Sequence, residues 1–460
     1  MKLVILLAIT VPLFAADQPQ FGRAWDRNMV SAERGLPDTF DVKARTNIKW
    51  IADLGTETHG TPIVAGGRIF VSTNNGQPRD PKNTADSGVF MAFAEKDGAY
   101  LSQLAAPKLS TEDPYLDWPK TGQSSPATIE GDRIYIVNNR AQVLCLNAKD
   151  PTQTPHWIFD LASGAGIYPH DGAHSSALVH GRYIYLNTGT GVDNTHRKIR
   201  TPDAPGLIVL DKETGRFVAR DREKTAPNIF HATWSAPSLG VAGGKEMIYF
   251  CGGNGITYAF APVAQDLPDG PPVTLTKIWQ YDIDPEGPKT EVHRFTQNKS
   301  EGPSNIFGMP VFADGKLYIA GGGDLFWGKN KAWLKCVDAA TGSEVWSYEL
   351  NKHVVSTAAV SDGLVFIADI GRTIHCVDAV TGKGAWTEGG PKGDFWASPM
   401  VADGKLYIGS RKGDFWIMSA SREKKVFATI DLGAAISGTA TAANGVIYVA
   451  TMKQLIAIGK

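Results

Sequence analysis

Cysteine is scarce in this sequence. The chain has 460 residues and 4 cysteines, with no adjacent pair and no Cys-x-x-Cys. This spacing excludes a c-type haem attachment motif and gives no sign of a disulfide framework or a zinc motif. Cys145, Cys336 and Cys376 occur in similar contexts (LCLNA, KCVDA and HCVDA), so we expect small, buried, hydrophobic side chains at these positions.

The chain also carries almost no net charge. The 46 Lys and Arg residues almost balance the 47 Asp and Glu residues, which leaves a formal net charge of −1. A chain without an overall positive field has no general attraction for nucleic acid or an anionic membrane. We therefore predict no nucleic-acid partner. Hydrophobic residues at 43% and charged residues at 20% are typical of a globular domain.

Only one long apolar run occurs, at Leu3–Phe14. It is too short to span a bilayer, and it fits a secretory signal peptide that ends in the small residues Ala15 and Ala16. The alternative is a buried N-terminal strand. We expect residues 1–16 to be removed and the mature protein to be periplasmic or secreted, with no transmembrane segment. Because Ala16 or Asp17, not cysteine, follows the expected cut, we also expect no lipid anchor.

Familiar catalytic motifs are missing as well. The sequence contains no Gly-x-Ser-x-Gly, no His-Glu-x-x-His and no phosphate-binding Gly-Lys-Ser/Thr. The glycine-rich stretch Gly321–Gly328 follows a predicted strand with no helix after it, so we do not interpret it as a nucleotide-binding loop.

What the sequence does contain is a repeat. The heptapeptide ADGKLYI occurs at Ala313–Ile319 and at Ala402–Ile408, and its centre belongs to a series of eight short strands with an aromatic third residue. These strands are Arg68–Val71, Arg133–Ile136, Tyr183–Leu186, Met247–Phe250, Lys316–Ile319, Leu364–Ile367, Lys405–Ile408 and Val446–Val449. The last four begin at residues 316, 364, 405 and 446. A period of about 40–50 residues built from short strands is typical of propeller blades.

Each repeat has the same internal order. A strand of small residues leads through an Asp-Gly turn to the aromatic strand, and a third strand leads through a Thr-Gly turn to a fourth. The last repeat lacks its fourth strand, and the isolated IKWIADL (Ile48–Leu54) matches the missing piece. We therefore predict an all-β, eight-bladed propeller of four-stranded antiparallel blades over residues 47–460. Its last blade is closed by the strand at residues 48–54, and residues 17–46 form an N-terminal extension.

Tryptophan recurs in the fourth strands, as in HWIFDL, IWQYDI and VWSYEL. An aromatic residue that returns in repeat after repeat indicates packing between neighbouring blades, because a cofactor site occurs only once.

The pattern Asp-Ala-x-Thr-Gly-x-x-x-Trp occurs at Asp338–Trp346 and again at Asp378–Trp386. It resembles the tryptophan-docking repeat of the pyrroloquinoline-quinone-like (PQQ-like) β-propellers. That superfamily includes quinoprotein alcohol dehydrogenases, the assembly lipoprotein BamB and exported bacterial PQQ-binding-like proteins. The resemblance implies a fold more strongly than an activity. It implies PQQ with calcium as a cofactor, yet the adjacent cysteines, calcium-ligand segment and catalytic-aspartate segment typical of the dehydrogenases are missing. The lipid-bearing cysteine of BamB is missing too.

Propellers usually bind ligands at the mouth of the central channel, so the residues just before each inner strand are the candidates. Five of the ten histidines fall there. The candidates for cofactor binding are Trp118, His174, His231, Trp234 and Trp396. The candidates for metal binding are His59, Asp171 and His353.

Three interpretations of these residues remain open. In the first interpretation the residues hydrogen-bond buried backbone groups at strand ends, and in the second they bind a metal. In the third interpretation they stack on a planar ligand such as a quinone, whose carboxylates the insertion His196–Arg200 would neutralise. We expect a binding or assembly scaffold with a protein or small-molecule partner at the channel mouth. The alternative is a quinone-dependent oxidoreductase that acts on an alcohol or sugar.

Overall fold

The computed structural model describes residues 16–22, 24–109, 116, 118–171 and 175–460. Within these residues, 33 strands form eight sheets, which confirms the predicted all-β class. The helical elements include Leu161–Ala165 and the 3-10 turns Ala226–Asn228 and Val292–Phe295. No helix in these described ranges has the length and apolar character needed to cross a membrane.

The sheets follow one another along the chain as blades 1 to 8. Blade 1 has β2 (Ile63–Ala65), β3 (Arg68–Asn74), β4 (Ser87–Ala94) and β5 (Tyr100–Pro107), and blade 2 has β6 (Thr128–Glu130), β7 (Arg133–Val137), β8 (Gln142–Asn147) and β9 (Trp157–Asp160). Blade 3 has β10 (Leu178–His180), β11 (Tyr183–Asn187), β12 (Leu207–Asp211), β13 (Phe217–Arg220) and β17 (Val273–Thr274), and blade 4 has β14 (Ser238–Ala242), β15 (Lys245–Cys251), β16 (Ile256–Phe260) and β18 (Lys277–Asp282). Blade 5 has β19 (Val311–Ala313), β20 (Lys316–Gly322), β21 (Ala332–Asp338) and β22 (Glu344–Leu350), and blade 6 has β23 (Ala359–Ser361), β24 (Leu364–Ala368), β25 (Ile374–Asp378) and β26 (Gly384–Glu388). Blade 7 has β27 (Met400–Ala402), β28 (Lys405–Gly409), β29 (Asp414–Ser419) and β30 (Val426–Asp431), and blade 8 has β31 (Thr441–Ala443), β32 (Val446–Ala450), β33 (Gln454–Ile458) and β1 (Ile48–Asp53).

The hairpin between the first two strands of a blade uses the predicted turn. Asp314 and Gly315 both have positive φ, 49° and 70°, as do Asp403 and Gly404 at 53° and 68°. Two successive positive φ angles match the twist of a tight hairpin, which explains why ADGKLYI is conserved between blades 5 and 7 of this chain.

Blade 3 differs from the predicted four strands. The connection between β16 and β18 of blade 4 reaches back and adds β17, which pairs in parallel with β13. The added strand covers the outer edge of a blade that would otherwise present unpaired backbone groups.

Tryptophans dock between neighbouring blades, as predicted. The indole Nε1 of Trp157 in blade 2 donates to Lys212 O in blade 3 at 3.0 Å, and Trp346 in blade 5 donates to Ala379 O in blade 6 at 3.0 Å. The Trp346 ring lies against Gly382, where an added Cβ would come within 2.6 Å of the ring. The repeated glycine therefore makes room for the indole.

The predicted closing strand is confirmed. β1 pairs antiparallel with β33, so the two ends of the propeller ring meet inside blade 8. Trp50 of β1 then docks on blade 1, where its Nε1 donates to Glu95 O at 2.9 Å. Blade 8 is thereby held to blade 1 by side-chain packing and a hydrogen bond.

The N-terminal segment (residues 17–46) runs past the inner strands and contacts them through residues between Gln18 and Ser31. It makes hydrogen bonds to backbone groups in or beside the inner strand of every blade. Its partners, from blade 1 to blade 8, are Val64, Ile129, Ala177, Leu239, Phe312, Val360, Val401 and Ala442. Inner strands have a free edge toward the channel, and the segment satisfies groups on that edge.

The four cysteines are buried and unpaired, as expected. Cys145 and Cys376 pack in the apolar layers between blades 2 and 3 and between blades 6 and 7. Their role in this structure is packing.

Candidate functional site

Two sets of connections meet at the mouth, which is the end of the channel where the inner strands begin. One set joins each blade to the next, and the other joins the second strand of a blade to its third. In blades 3 and 5 the second set is long, because Thr188–Gly206 separates β11 from β12 and Gly323–Lys331 separates β20 from β21. His196 and Trp327 from these two loops are in contact, with ring centroids 4.7 Å apart.

A cavity of about 480 Å³ opens at this mouth. Its walls carry five large aromatic side chains together with acidic, basic and imidazole groups. The lining residues are Glu57, His59, Trp118, Thr121, Asp171, His196, His231, Trp234, Phe326, Trp327, Trp396 and Arg411. A second cavity of about 150 Å³ lies deeper in the channel, where Phe21 of the N-terminal segment contributes to its lining.

The aromatic groups are held by their neighbours. Trp234 packs on Phe307 with ring centroids 4.5 Å apart. Trp396 donates to Asp394 through Nε1 at 3.1 Å, and the Arg411 guanidinium lies 4.6 Å from the Trp396 ring. Burial lowers the pKa of Arg411, and the nearby Asp394 and Glu57 oppose that effect. Arg411 therefore places a positive charge beside an indole surface.

Three histidines converge on one wall. His170, His196 and His231 each place one ring nitrogen within 4.8 Å of the others, and all three side chains are buried. The Asp171 carboxylate reaches two of them, with Oδ1 3.5 Å from His170 Nε2 and Oδ2 3.4 Å from His231 Nε2. We call these four residues the histidine cluster.

In two of these rings, Nδ1 makes a hydrogen bond to a group outside the histidine cluster. His170 Nδ1 lies 2.7 Å from Val192 O, and His231 Nδ1 lies 2.9 Å from the fully buried Asp324 Oδ2. Asp324 also accepts hydrogen bonds through Oδ1 from the backbone N–H groups of Phe326 and Trp327, at 2.9 and 2.8 Å. One carboxylate thus positions both a histidine and an aromatic part of the cavity wall.

Burial and nearby charges shift the pKa values of the three histidine rings in different directions. Burial lowers the pKa of His170 to about 4 and also lowers that of His196. Burial opposes protonation of His231 too, but the carboxylates of Asp324 and Asp171 outweigh it and raise the pKa of His231. At neutral pH, two uncharged imidazoles therefore lie beside one imidazolium that is held between two carboxylates.

The structure brings most of the candidate residues together. Trp118, His231, Trp234 and Trp396 line the cavity, and so do His59 and Asp171. His59 lies near Trp396 and bonds to Glu57 Oε1 at 3.0 Å. His174 lies outside the described residues.

His353 is placed elsewhere. It is buried, its Nε2 bonds to Lys329 O at 2.8 Å, and it does not line the cavity. Its position fits the interpretation that it satisfies backbone at a strand end.

The insertion His196–Arg200 does not supply the expected cations. His196 turns into the histidine cluster, Arg200 pairs with Asp193 at 2.9 Å, and Arg197 and Lys198 are exposed. The guanidinium that lines the cavity belongs to Arg411 of blade 7. The exposure of Arg197 and Lys198 fits a charged run that forms a solvated loop.

Sequence reasoning missed His196, Phe326, Trp327 and Arg411 as lining residues. All four lie in connections between second and third strands, and such connections reach the same end of the propeller as the segments before the inner strands. Because the strand order was predicted, the residues in these loops could have been included among the candidates for the channel mouth.

The comparisons with known proteins agree with this architecture. The family model described as "Outer membrane protein assembly factor BamB" matches residues 272–420 and 330–458. No curated protein sequence matches the chain.

Three solved structures share the fold over most of this chain. BamB from Moraxella catarrhalis is 14% identical, with a TM-score of 0.60, and the match covers 88% of this chain and 98% of that one. A europium-containing methanol dehydrogenase is 12% identical, with a TM-score of 0.62 and coverages of 96% and 89%. The quinohemoprotein alcohol dehydrogenase ADHIIG from Pseudomonas putida HK5 is 11% identical, with a TM-score of 0.60 and coverages of 96% and 80%. These matches show that the chain shares the β-propeller fold of these proteins, and the family model matches its C-terminal part.

Proposed function

We propose that the protein is a binding protein whose ligand is a small organic molecule with a flat ring system, held in the mouth cavity. The observation that supports this proposal is the convergence of four tryptophans on one cavity, Trp118, Trp234, Trp327 and Trp396. Outside the docking positions, where tryptophan serves packing, the sequence thus concentrates its largest flat side chains at one place.

The dimensions of the cavity support a small ligand. A volume of about 480 Å³ falls within the range of small-molecule sites, which is roughly 300–1,000 Å³. The lining residues form a concave site at the channel mouth, and a protein partner that contacts the mouth rim would reach few of them. A scaffold that assembles with a protein partner at the same mouth is the less favoured form of this proposal.

Polar groups define the chemistry of the ligand further. The Arg411 guanidinium lies over the Trp396 ring, 4.6 Å from its centroid, so a ligand that packs beside this pair meets a positive charge. Anionic groups such as carboxylates form charge-assisted hydrogen bonds with a guanidinium. We therefore expect a flat ring that carries an acidic substituent.

Binding of 1-anilinonaphthalene-8-sulfonate, a flat aromatic anion, tests this proposal. We expect saturable binding of one molecule per native chain, weakened about tenfold by Trp396→Ala, since the loss of one aromatic stacking contact amounts to about 1.4 kcal/mol. Fluorescence titration gives the dissociation constants. Trp386→Ala is the matched control, because Trp386 docks on blade 7 through Ser421 O and does not line the cavity. Equal affinity of Trp396→Ala and the parent chain would contradict the proposal.

A quinone-dependent dehydrogenase is the second candidate. The indole surfaces and Arg411 favour a planar polycarboxylate such as PQQ. The donor set does not fit the calcium that PQQ enzymes use, because three imidazoles meet at one wall of the cavity and Ca²⁺ prefers six to eight oxygen ligands. We therefore derive no catalytic step through this cofactor.

Incubation with PQQ and calcium distinguishes the two candidates. Dye-linked oxidation of alcohols or sugars, together with stoichiometric uptake of PQQ, would establish the dehydrogenase and overturn the simple binding protein. Uptake without turnover would identify PQQ as a ligand.

We also propose export to the periplasm. N-terminal sequencing of the mature protein checks this proposal, because the mature chain should begin near residue 16 or 17.

A further inference from the structure

The histidine cluster has the composition of a metal centre. Three buried imidazoles and one carboxylate come from separate parts of the chain: His170 and Asp171 precede β10, His196 lies between β11 and β12, and His231 precedes β14. Packing of apolar residues does not require three imidazoles to meet within 4.8 Å. Their convergence therefore needs an explanation of its own.

The contacts behind the rings orient them toward a common point. A carbonyl oxygen can only accept, so His170 Nδ1 carries the proton in its bond to Val192 O. A neutral His170 ring then carries its lone pair on Nε2, on the side of the cluster. His231 Nδ1 donates to Asp324 in the same way, and a metal ion that binds Nε2 would displace the second proton of this imidazolium. Metal-binding histidines almost always show this arrangement, in which the second nitrogen is held by a carbonyl or a carboxylate.

Charge and donor type select the class of metal. Imidazole nitrogen suits zinc, copper, iron and nickel, whereas calcium and magnesium prefer oxygen ligands. Asp171 and Asp324 supply two negative charges within this region, which would balance a divalent cation. Zinc–nitrogen bonds are about 2.0–2.1 Å long, so modest side-chain rotations are needed to close the present separations.

We propose that His170, His196 and His231, with Asp171 beside them, bind one divalent transition-metal ion of the zinc type. His196, His231 and Asp171 also line the mouth cavity, so the ion would lie at its wall. Three histidine ligands leave a coordination position for water or a ligand atom, as in catalytic zinc sites. The proposal is independent of the flat ligand proposed above.

Zinc titration of the full chain tests the site directly. After EDTA treatment and dialysis, we expect isothermal titration calorimetry with zinc sulfate and elemental analysis to show one zinc per chain, and calcium to show no comparable binding. Binding of Co²⁺ should give the visible absorption of a low-coordinate nitrogen and oxygen site. No zinc uptake by the folded chain, or stronger binding of calcium, would overturn the proposal and leave the cluster as an ionic network.

Matched variants locate the ion. His196→Ala should weaken zinc binding by more than the roughly 10–100-fold loss typical of supporting residues. Asp324→Asn should weaken it by roughly 10–100-fold, because an asparagine oxygen can still accept from Phe326 and Trp327 while the charge behind His231 is lost. His180→Ala is the control, since His180 lies at the end of β10 beside Glu246. Circular dichroism of each metal-free variant verifies folding, and unchanged zinc affinity in a folded His196→Ala chain would contradict the assignment.

The planar-ligand proposal and the metal-site proposal can be tested separately. Anilinonaphthalene sulfonate binding in the presence of EDTA reports the aromatic cavity alone, and zinc binding without the dye reports the cluster alone. Failure of one experiment therefore leaves the other proposal standing.

Discussion

Arg27 is fully buried beneath the inner strands. Its guanidinium donates to Pro237 O, Phe21 O, Ser176 O, Ser176 Oγ and Ala177 O. Burial lowers its pKa to about 9, against the opposing charge of Asp26, so the side chain is still charged at neutral pH. Arg27 thus fastens the N-terminal segment to blades 3 and 4 with one side chain.

Replacement of this side chain tests its contribution. Arg27→Met should lower the free energy of unfolding by roughly 2–4 kcal/mol, because several buried oxygens lose their donors. Urea unfolding followed by tryptophan fluorescence measures the change. Arg197→Met, on an exposed loop residue, should leave stability within about 0.5 kcal/mol of the parent, and a similar loss in both variants would argue against this role.

For single residues, the sequence predicts which side chains lie at the channel mouth better than it predicts how these side chains are arranged. His231, Trp234 and Trp396 were found because they immediately precede inner strands, whose positions follow from the repeat. The convergence of His170 with His196 was not predictable, because it depends on how the Thr188–Gly206 loop folds back over the mouth. No short spacing between the histidines marks the cluster.

The Asp-Ala-x-Thr-Gly element is a docking turn for tryptophan. Asp338 Oδ1 accepts from Ala340 N and Thr341 N at 3.2 and 3.1 Å, and Asp378 Oδ1 accepts from Val380 N and Thr381 N at 3.1 and 2.8 Å. This side chain fixes the turn that presents the glycine to the indole of the preceding blade. The element therefore recurs because each docking contact needs it.

Acid should weaken these turns. The hydrogen bond from Lys316 lowers the pKa of Asp338, and the hydrogen bond from Arg422 lowers that of Asp378, both from an ordinary value of 3.8. A carboxylate whose pKa is lowered by folding stabilises the fold above its unfolded pKa, and that stability is lost as the pH falls through the folded value.

The melting temperature should therefore decrease as the pH falls from about 5 toward 2, with a shallower decrease in the double variant Asp338→Asn and Asp378→Asn. Differential scanning calorimetry across this range measures both profiles. Parallel profiles would show that other carboxylates dominate acid unfolding.

The whole ring depends on two closures, the pairing of β1 with β33 and the N-terminal segment that contacts all eight inner strands. The first was predictable, because IKWIADL matches the fourth strand that the last repeat lacks. The second was not, because the N-terminal segment has no strand periodicity and bonds mainly to backbone. The extra strand β17 likewise carries no repeat signal.

Trp50 tests the first closure. Trp50→Ala should lower the free energy of unfolding by roughly 3–5 kcal/mol, since a buried indole and its bond to Glu95 O are lost at the seam. Chemical denaturation provides the measurement. Trp386→Ala, which removes a more exposed docking indole within the continuous chain, should cost less. An unchanged free energy of unfolding in Trp50→Ala would contradict the closure role.

The seam in blade 8 also sets the order in which the molecule can assemble. β1 leaves the ribosome early, whereas its partner β33 lies at Gln454–Ile458. Most blades form from contiguous sequence, but the first-made strand and the N-terminal segment must wait for partners spread along the entire chain. Pairings between such distant residues fold slowly. The nascent propeller therefore remains an open arc with an unpaired strand at one end until β33 has been made.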